Sequence, residues 1–175
     1  MTTIQQEDFI SSIAEALQFI SYYHPIDFIQ AMGEAWQREE SPAAKDAIAQ
    51  ILMNSRMSAL GKRPICQDTG IVVIFLKIGM EVRWESTLSI QEMADEGVRR
   101  AYLHPDNKLR ASVLSDPAGK RSNTRDNTPA VVHMEVVPGS HLQVTVAAKG
   151  GGSENKSRFA NLSPSANVAD WVVEQ

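Results

Sequence analysis

Cys66, Gln67, Asp68 and Thr69 set a thiol, an amide, a carboxylate and a hydroxyl side by side, between Arg63-Pro64-Ile65 and Gly70. A loop of this make-up at a strand edge can hold its polar groups together on the main chain while solvent reaches them. Cys66 is the single cysteine of the chain, which excludes an internal disulfide framework and a self-contained Cys-rich zinc site. Three roles stay open for it: a small buried hydrophobe, a nucleophile, or one ligand of a centre completed elsewhere. A Cys-His nucleophile would require His24, His104, His133 or His141 nearby in space, and no spacing ties any of them to Cys66. In the plainest reading Asp68 and Thr69 bond the local backbone of a turn.

A second candidate is Lys149-Gly150-Gly151-Gly152-Ser153-Glu154-Asn155-Lys156-Ser157. Successive glycines let a ligand approach the main chain and let N–H groups converge on an anion, with two lysines adding positive charge. A flexible turn has the same composition. A nucleotide P-loop is disfavoured, because Asn155 stands where a glycine is required and Pro164 interrupts the helix that should follow. The third candidate is Arg110, which closes Asp106-Asn107-Lys108-Leu109-Arg110. Its guanidinium can clamp a carboxylate through paired N–H donors, or it can be a solvated loop arginine.

The elements that must position these groups are legible in the apolar spacing. Ile10, Ile13, Leu17 and Ile20, widened by Phe9 and Ala16, form one helical stripe. Pro25 suits the first turn of a second helix bearing Phe28, Met32 and Trp36. Ser41 and Pro42 open a third, with Ala44, Ile48, Ile51 and Leu52 on its apolar face and Gly61 at its end. The run IVVIFLKI, Ile71 to Ile78, reads as a central strand covered on both faces. Ser89 and Glu92 have the spacing of a capping box for a fourth helix closed by His104-Pro105. Leu114 to Asn127 has loop composition. VVHMEVV and HLQVTVAA around Pro138-Gly139-Ser140 suggest an antiparallel hairpin, and Ser163-Pro164 a last helix with Val168, Trp171 and Val172.

The expected fold class is therefore α+β, a helical N-terminal region packed on a mixed sheet with an antiparallel hairpin. With 175 residues, 43% of them hydrophobic and 22% charged, the chain is the size of one ordinary globular domain spanning residues 1–175. Its 17 basic and 21 acidic residues give a formal charge of -4, which argues against a nucleic-acid partner. No apolar run approaches the roughly 20 residues of a membrane span, and no secretory signal opens the chain, so a cytoplasmic protein is expected.

Taken together and in order, ICQDTG (Ile65 to Gly70), NTRDNTPA (Asn123 to Ala130) and AAKGGGSENKS (Ala147 to Ser157) resemble the N-terminal part of the class I fumarases, the iron-sulfur hydro-lyases. The resemblance extends over nearly the whole chain. Tartrate dehydratases share the CQDTG element, whereas KGGGSENKS looks more like a fumarase. The resemblance implies reversible addition of water to fumarate, giving S-malate, at a 4Fe-4S cluster held by three cysteines, in a homodimer. It implies Cys66 as the first cluster ligand, Gln67 and Asp68 as substrate contacts, and Asp68 as a member of the proton-transfer relay. Arg110 would bind a substrate carboxylate, and the Gly152 N–H another substrate oxygen. The family's other two cluster cysteines and its C-terminal domain have no counterpart in the sequence, so a truncated N-terminal portion is expected. Alone, such a chain should neither retain the cluster stoichiometrically nor hydrate fumarate. The alternatives are a noncatalytic anion-binding or assembly module, and a segment of a tartrate or mesaconate hydro-lyase.

Overall fold

The computed structural model describes residues 2–150 and 158–174. A short strand β1 (Thr2–Gln5) leads into α1 (Gln6–Tyr22), α2 (Ile26–Arg38) and α3 (Pro42–Gly61). Then follow β2 (Ile71–Gly79), β3 (Val82–Glu85) and α4 (Ile90–Tyr102). A small ribbon of β4 (Leu114–Ser115) and β5 (Ser122–Asn123), the strands β6 (Val131–Val137) and β7 (Leu142–Lys149), and α5 (Val168–Glu174) complete the order. This is the expected α+β architecture with a mixed sheet.

The core forms where the α1 stripe meets α4 over one face of β2. Phe9, Ile10, Ile13 and Leu17 of α1, Met93, Ala94, Val98, Ala101 and Tyr102 of α4, and Val72, Ile74 and Leu76 of β2 are all buried. Each large side chain among them contributes about 1.5 to 3 kcal/mol relative to exposure. The fourth helix starts as its sequence dictates. The Ser89 hydroxyl accepts the Glu92 N–H at 3.2 Å, and the Glu92 carboxylate accepts the Ser89 N–H at 2.8 Å. The backbone N–H and hydroxyl of Ser89 hold the Glu92 carboxyl below its ordinary value. Ser89→Ala is expected to lower global stability by about 1 kcal/mol, read as a lower urea midpoint with an unchanged slope.

Strand pairing departs from expectation in an instructive way. The strands β6 and β7 run antiparallel, but they do not pair with each other: the order is β6-β2-β7, with β2 parallel to β6 and antiparallel to β7. The tight Pro138-Gly139-Ser140 connection therefore passes over the end of β2. There Met80 N–H donates to Val137 C=O at 2.9 Å and Glu81 N–H to Gly139 C=O at 3.0 Å. A Cβ at Gly79 would stand 2.4 Å from the Gly139 oxygen, so this crossing requires a glycine beneath it. Loop length alone suggests a hairpin, but a third strand fills the gap.

β2 is central as expected, but only its α1/α4 face is covered. On the other face Ile71 and Phe75 remain 49% and 47% exposed, and Phe75 stacks on His133 of β6 with ring centroids 5.0 Å apart. The sequence also conceals two small pairings. β1 and β3 pair in parallel, and the loop-like stretch from Leu114 contains the β4-β5 ribbon. The last helix begins later than Pro164. Ser163 to Ala166 form a turn, and Asn167 Oδ1 accepts the Ala169 N–H at 3.0 Å to start α5 at Val168. Among the described residues no helix is long and apolar enough to cross a membrane.

Candidate functional site

The thiol-bearing loop joins the end of α3 to the start of β2. Lys62 takes a left-handed conformation, φ 46°, and reverses the chain out of the helix. Ile65 N–H then donates to Ser21 C=O at 2.8 Å, the Asn54 amide to Ile65 C=O at 2.9 Å, and the Arg63 guanidinium to Asp106 C=O at 3.2 Å. The loop is thereby tied to α1, α3 and the segment after α4. Cys66 and Gln67 are exposed, and Asp68 is half-buried. Asp68 Oδ1 accepts the Gly70 N–H at 3.2 Å, closing the Asx turn that its residue type favours.

Two buried side chains hold this turn from below. The Tyr102 hydroxyl, at the end of α4, donates to Thr69 C=O at 2.7 Å and lies 3.2 Å from Gly70 C=O. Burial, reinforced by the Asp68 carboxylate, pushes the Tyr102 phenol up to about 12 against the hydrogen bond to Thr69, so it remains a donor near neutrality. From the opposite side the Asn127 amide donates to Gly70 C=O at 2.8 Å. Asn127 is fully buried. Its neighbour Asp126 is raised by burial, but the Thr128 N–H and hydroxyl and the Arg99 guanidinium outweigh this and hold the carboxyl below its ordinary value. The roles of Tyr102 and Asn127 escape sequence reasoning because their partners are main-chain groups 33 and 57 residues away.

The described parts of all three motifs, the third of them Ala147 to Gly150, meet at this end of the sheet. Ile71 pairs with Lys149, so the glycine run departs beside the Asp68 turn. A Cβ placed on Gly150 would stand 3.1 Å from Asp68 Cγ. Gly152, together with the rest of residues 151–157, lies outside the described residues. Cys66, Asp68, Thr69 and Tyr102 line a cleft of about 180 Å³ floored by Leu17, Ile20, Leu109 and Ala148. Arg110 is exposed, but its main chain abuts the site: the Thr69 hydroxyl donates to Arg110 C=O at 2.6 Å.

Cys66 sits at the rim of this cleft as a free, exposed thiol, not as core filler. Among the described residues no three His, Cys, Asp or Glu side chains are grouped to hold a metal ion. Among the described residues Cys66 thus offers a single accessible sulfur donor, which can fill one position of a metal centre whose other ligands lie elsewhere.

The family model of fumarate hydratase (Fumerase) matches residues 10–175. A putative L(+)-tartrate dehydratase subunit alpha from Methanocaldococcus jannaschii is 28% identical over 168 residues, covering 93% of this chain and 58% of that protein. The anaerobic class I fumarate hydratase of Escherichia coli K12 is 34% identical over 142 residues, covering 78% of this chain and 25% of that enzyme. The L(+)-tartrate dehydratase subunit alpha of Escherichia coli O157:H7 is 26% identical over 165 residues, covering 93% of this chain and 54% of that subunit. The chain thus spans from a quarter to somewhat over half the length of these relatives. A match running from within α1 onward, over three motifs whose described parts converge at one end of a sheet, means that this chain belongs to the fumarate hydratase family.

Proposed function

We propose that this chain forms the N-terminal part of a hydro-lyase that interconverts fumarate and S-malate, with Cys66 as one thiolate ligand of a 4Fe-4S cluster. The observation that carries the reading is that Cys66 and Asp68 line one cleft while the first glycine of the run, Gly150, lies against Asp68. When bound, the cluster supplies a Lewis-acidic iron that weakens the bond between carbon and the departing hydroxyl. Asp68 is held by its turn to join proton transfer, and Gln67 lies beside it to contact substrate. A dianionic substrate needs cationic and N–H donors at both ends, the parts we assign to Arg110 and to the Gly152 N–H. One thiolate does not hold a cluster by itself, so the remaining ligands come from polypeptide beyond this chain, in an assembly we take to be homodimeric and cytoplasmic.

A second reading, a tartrate hydro-lyase segment, is favoured by the longer alignment with the tartrate dehydratase alpha subunits. Both readings are tested by anaerobic reconstitution with ferrous iron and sulfide. The chain of residues 1–175 alone is expected to hold less than one cluster per molecule and to leave fumarate unchanged. Assembled with polypeptide supplying the other ligands, it is expected to hydrate fumarate with a higher kcat/KM than it dehydrates tartrate. The reverse order establishes the tartrate reading. An assembly that turns over neither fumarate, tartrate nor mesaconate leaves the noncatalytic anion-binding or assembly module. A full cluster and turnover on the isolated chain would overturn the division of ligands proposed here.

A further inference from the structure

We propose that Thr69 and Asn127 are positioning residues, which clasp the Arg110 segment to the Asp68 turn and so fix where the Arg110 guanidinium meets a substrate carboxylate. This inference rests on the dicarboxylate reading above. Arg110 lies in an irregular stretch between α4 and β4, where a long exposed side chain would roam unless its main chain were tied. The main chain from Arg110 to Val113 is tied at successive residues. Thr69 Oγ1 donates to Arg110 C=O at 2.6 Å, and the Asn123 amide donates to Ala111 C=O at 2.8 Å. Asn127 Oδ1 accepts from Ser112 N–H at 2.8 Å and Val113 N–H at 3.2 Å, and Thr124 N–H donates to Val113 C=O at 3.0 Å.

Asn127 gives the clasp its direction. The amide that accepts from Ser112 and Val113 also donates to Gly70 C=O at 2.8 Å, so one buried side chain joins the Arg110 segment to the residue that closes the Asp68 turn. Its φ of 64° is a left-handed conformation that asparagine adopts more readily than most residues. Thr69 makes the second tie from the Asp68 side. Were these bonds merely loop packing, loosening them would cost stability without regard to Arg110. A positioning role requires that their effect vanish once the guanidinium is gone.

The test is a double-mutant cycle in the assembled, cluster-bearing enzyme. Thr69→Val keeps the shape and removes one hydroxyl; it is expected to raise the dicarboxylate KM about tenfold with a smaller change in kcat. Thr69→Ser should stay near wild type. In an Arg110→Ala background, Thr69→Val should add less than about twofold. An effect carried in full into that background overturns the proposal, and so does an unchanged KM in Thr69→Val. In the chain itself, Asn127→Ala should speed amide exchange at Ser112 and Val113 by about tenfold, while Ile74 and Leu76 stay protected. If Asn127→Ala does not fold, Thr69→Val in the cycle decides alone. An Arg110→Ala enzyme with unaltered KM overturns the carboxylate role on which the inference rests, whereas unchanged Ser112 and Val113 exchange overturns the clasp.

Discussion

Gly70→Ala is expected to destabilise the protein by roughly 3 to 5 kcal/mol, lowering Tm by on the order of 10 °C. Two independent causes act at this residue. Its φ of +81° lies in the left-handed region, where a side chain costs about 1 kcal/mol or more. The added Cβ would also stand 2.5 Å from the Lys149 carbonyl carbon and 2.6 Å from the Lys149 nitrogen, and a main chain paired in a ladder cannot step aside. Gly139→Ala separates the causes. Gly139 has φ +109° but nothing within 4 Å of its would-be Cβ, so its substitution carries the backbone strain alone and is expected to cost about 1 to 2 kcal/mol. Thermal denaturation of the two variants side by side measures the difference. Equal losses would mean that the contact between Gly70 and Lys149 relaxes freely, and that Gly150 is not held against the Asp68 turn as tightly as these distances require.

The consequence extends beyond stability, because Gly70 is the point on which the other ties converge. Its N–H closes the Asp68 turn, and its carbonyl receives Asn127 and lies within reach of Tyr102. A displaced β7 carries the start of the glycine run away from the Asp68 carboxylate. One added methyl group is therefore expected to disturb the packing of the sheet end and the shape of the cleft together.

How much of this was legible beforehand depended on how far apart the partners lie. The capping box of α4 needs only Ser89 and Glu92, three residues apart, and its geometry follows from the sequence. The α1 stripe is equally local, since Ile13 and Leu17 share a face whatever they pack against. Strand order is not local. VVHMEVV and HLQVTVAA carry no sign that Ile71 to Gly79 inserts between them, because the short connection suits a direct hairpin equally well. The site divides in the same way. Cys66 and Asp68 stand out by residue type, whereas only the resemblance to the class I fumarases linked them to the glycine run, whose first residue, Gly150, the structure places against Asp68. Tyr102 does not stand out, and Asn127, though it lies within NTRDNTPA, carries no sign of its role there. A tyrosine ending an apolar helix face and an asparagine in a polar loop are common, and their work lies in bonds to distant carbonyls.

Asp68→Asn is expected to cut turnover of the assembled enzyme by about 10² to 10⁴, the range usual for loss of a general acid-base group, while stability changes by less than about 1 kcal/mol. The separation follows from the geometry. An asparagine Oδ1 can accept the Gly70 N–H as the Asp68 oxygen does at 3.2 Å, so the turn and the ladder behind it persist. What disappears is the negative charge and the capacity to take up a proton at the rim of the cleft shared with Cys66. Tyr102 cannot take over as a base, because its phenol, pushed up to about 12, stays protonated near neutrality, and its proton is engaged by the Thr69 carbonyl. Asp68→Ala makes the complementary comparison, since it removes both the charge and the turn and should lose stability as well as turnover. Steady-state kcat and KM, with urea denaturation of each variant, decide the matter. If Asp68→Asn turns over within about threefold of wild type, proton transfer does not pass through this carboxylate, and its role at the cleft is confined to shaping the turn.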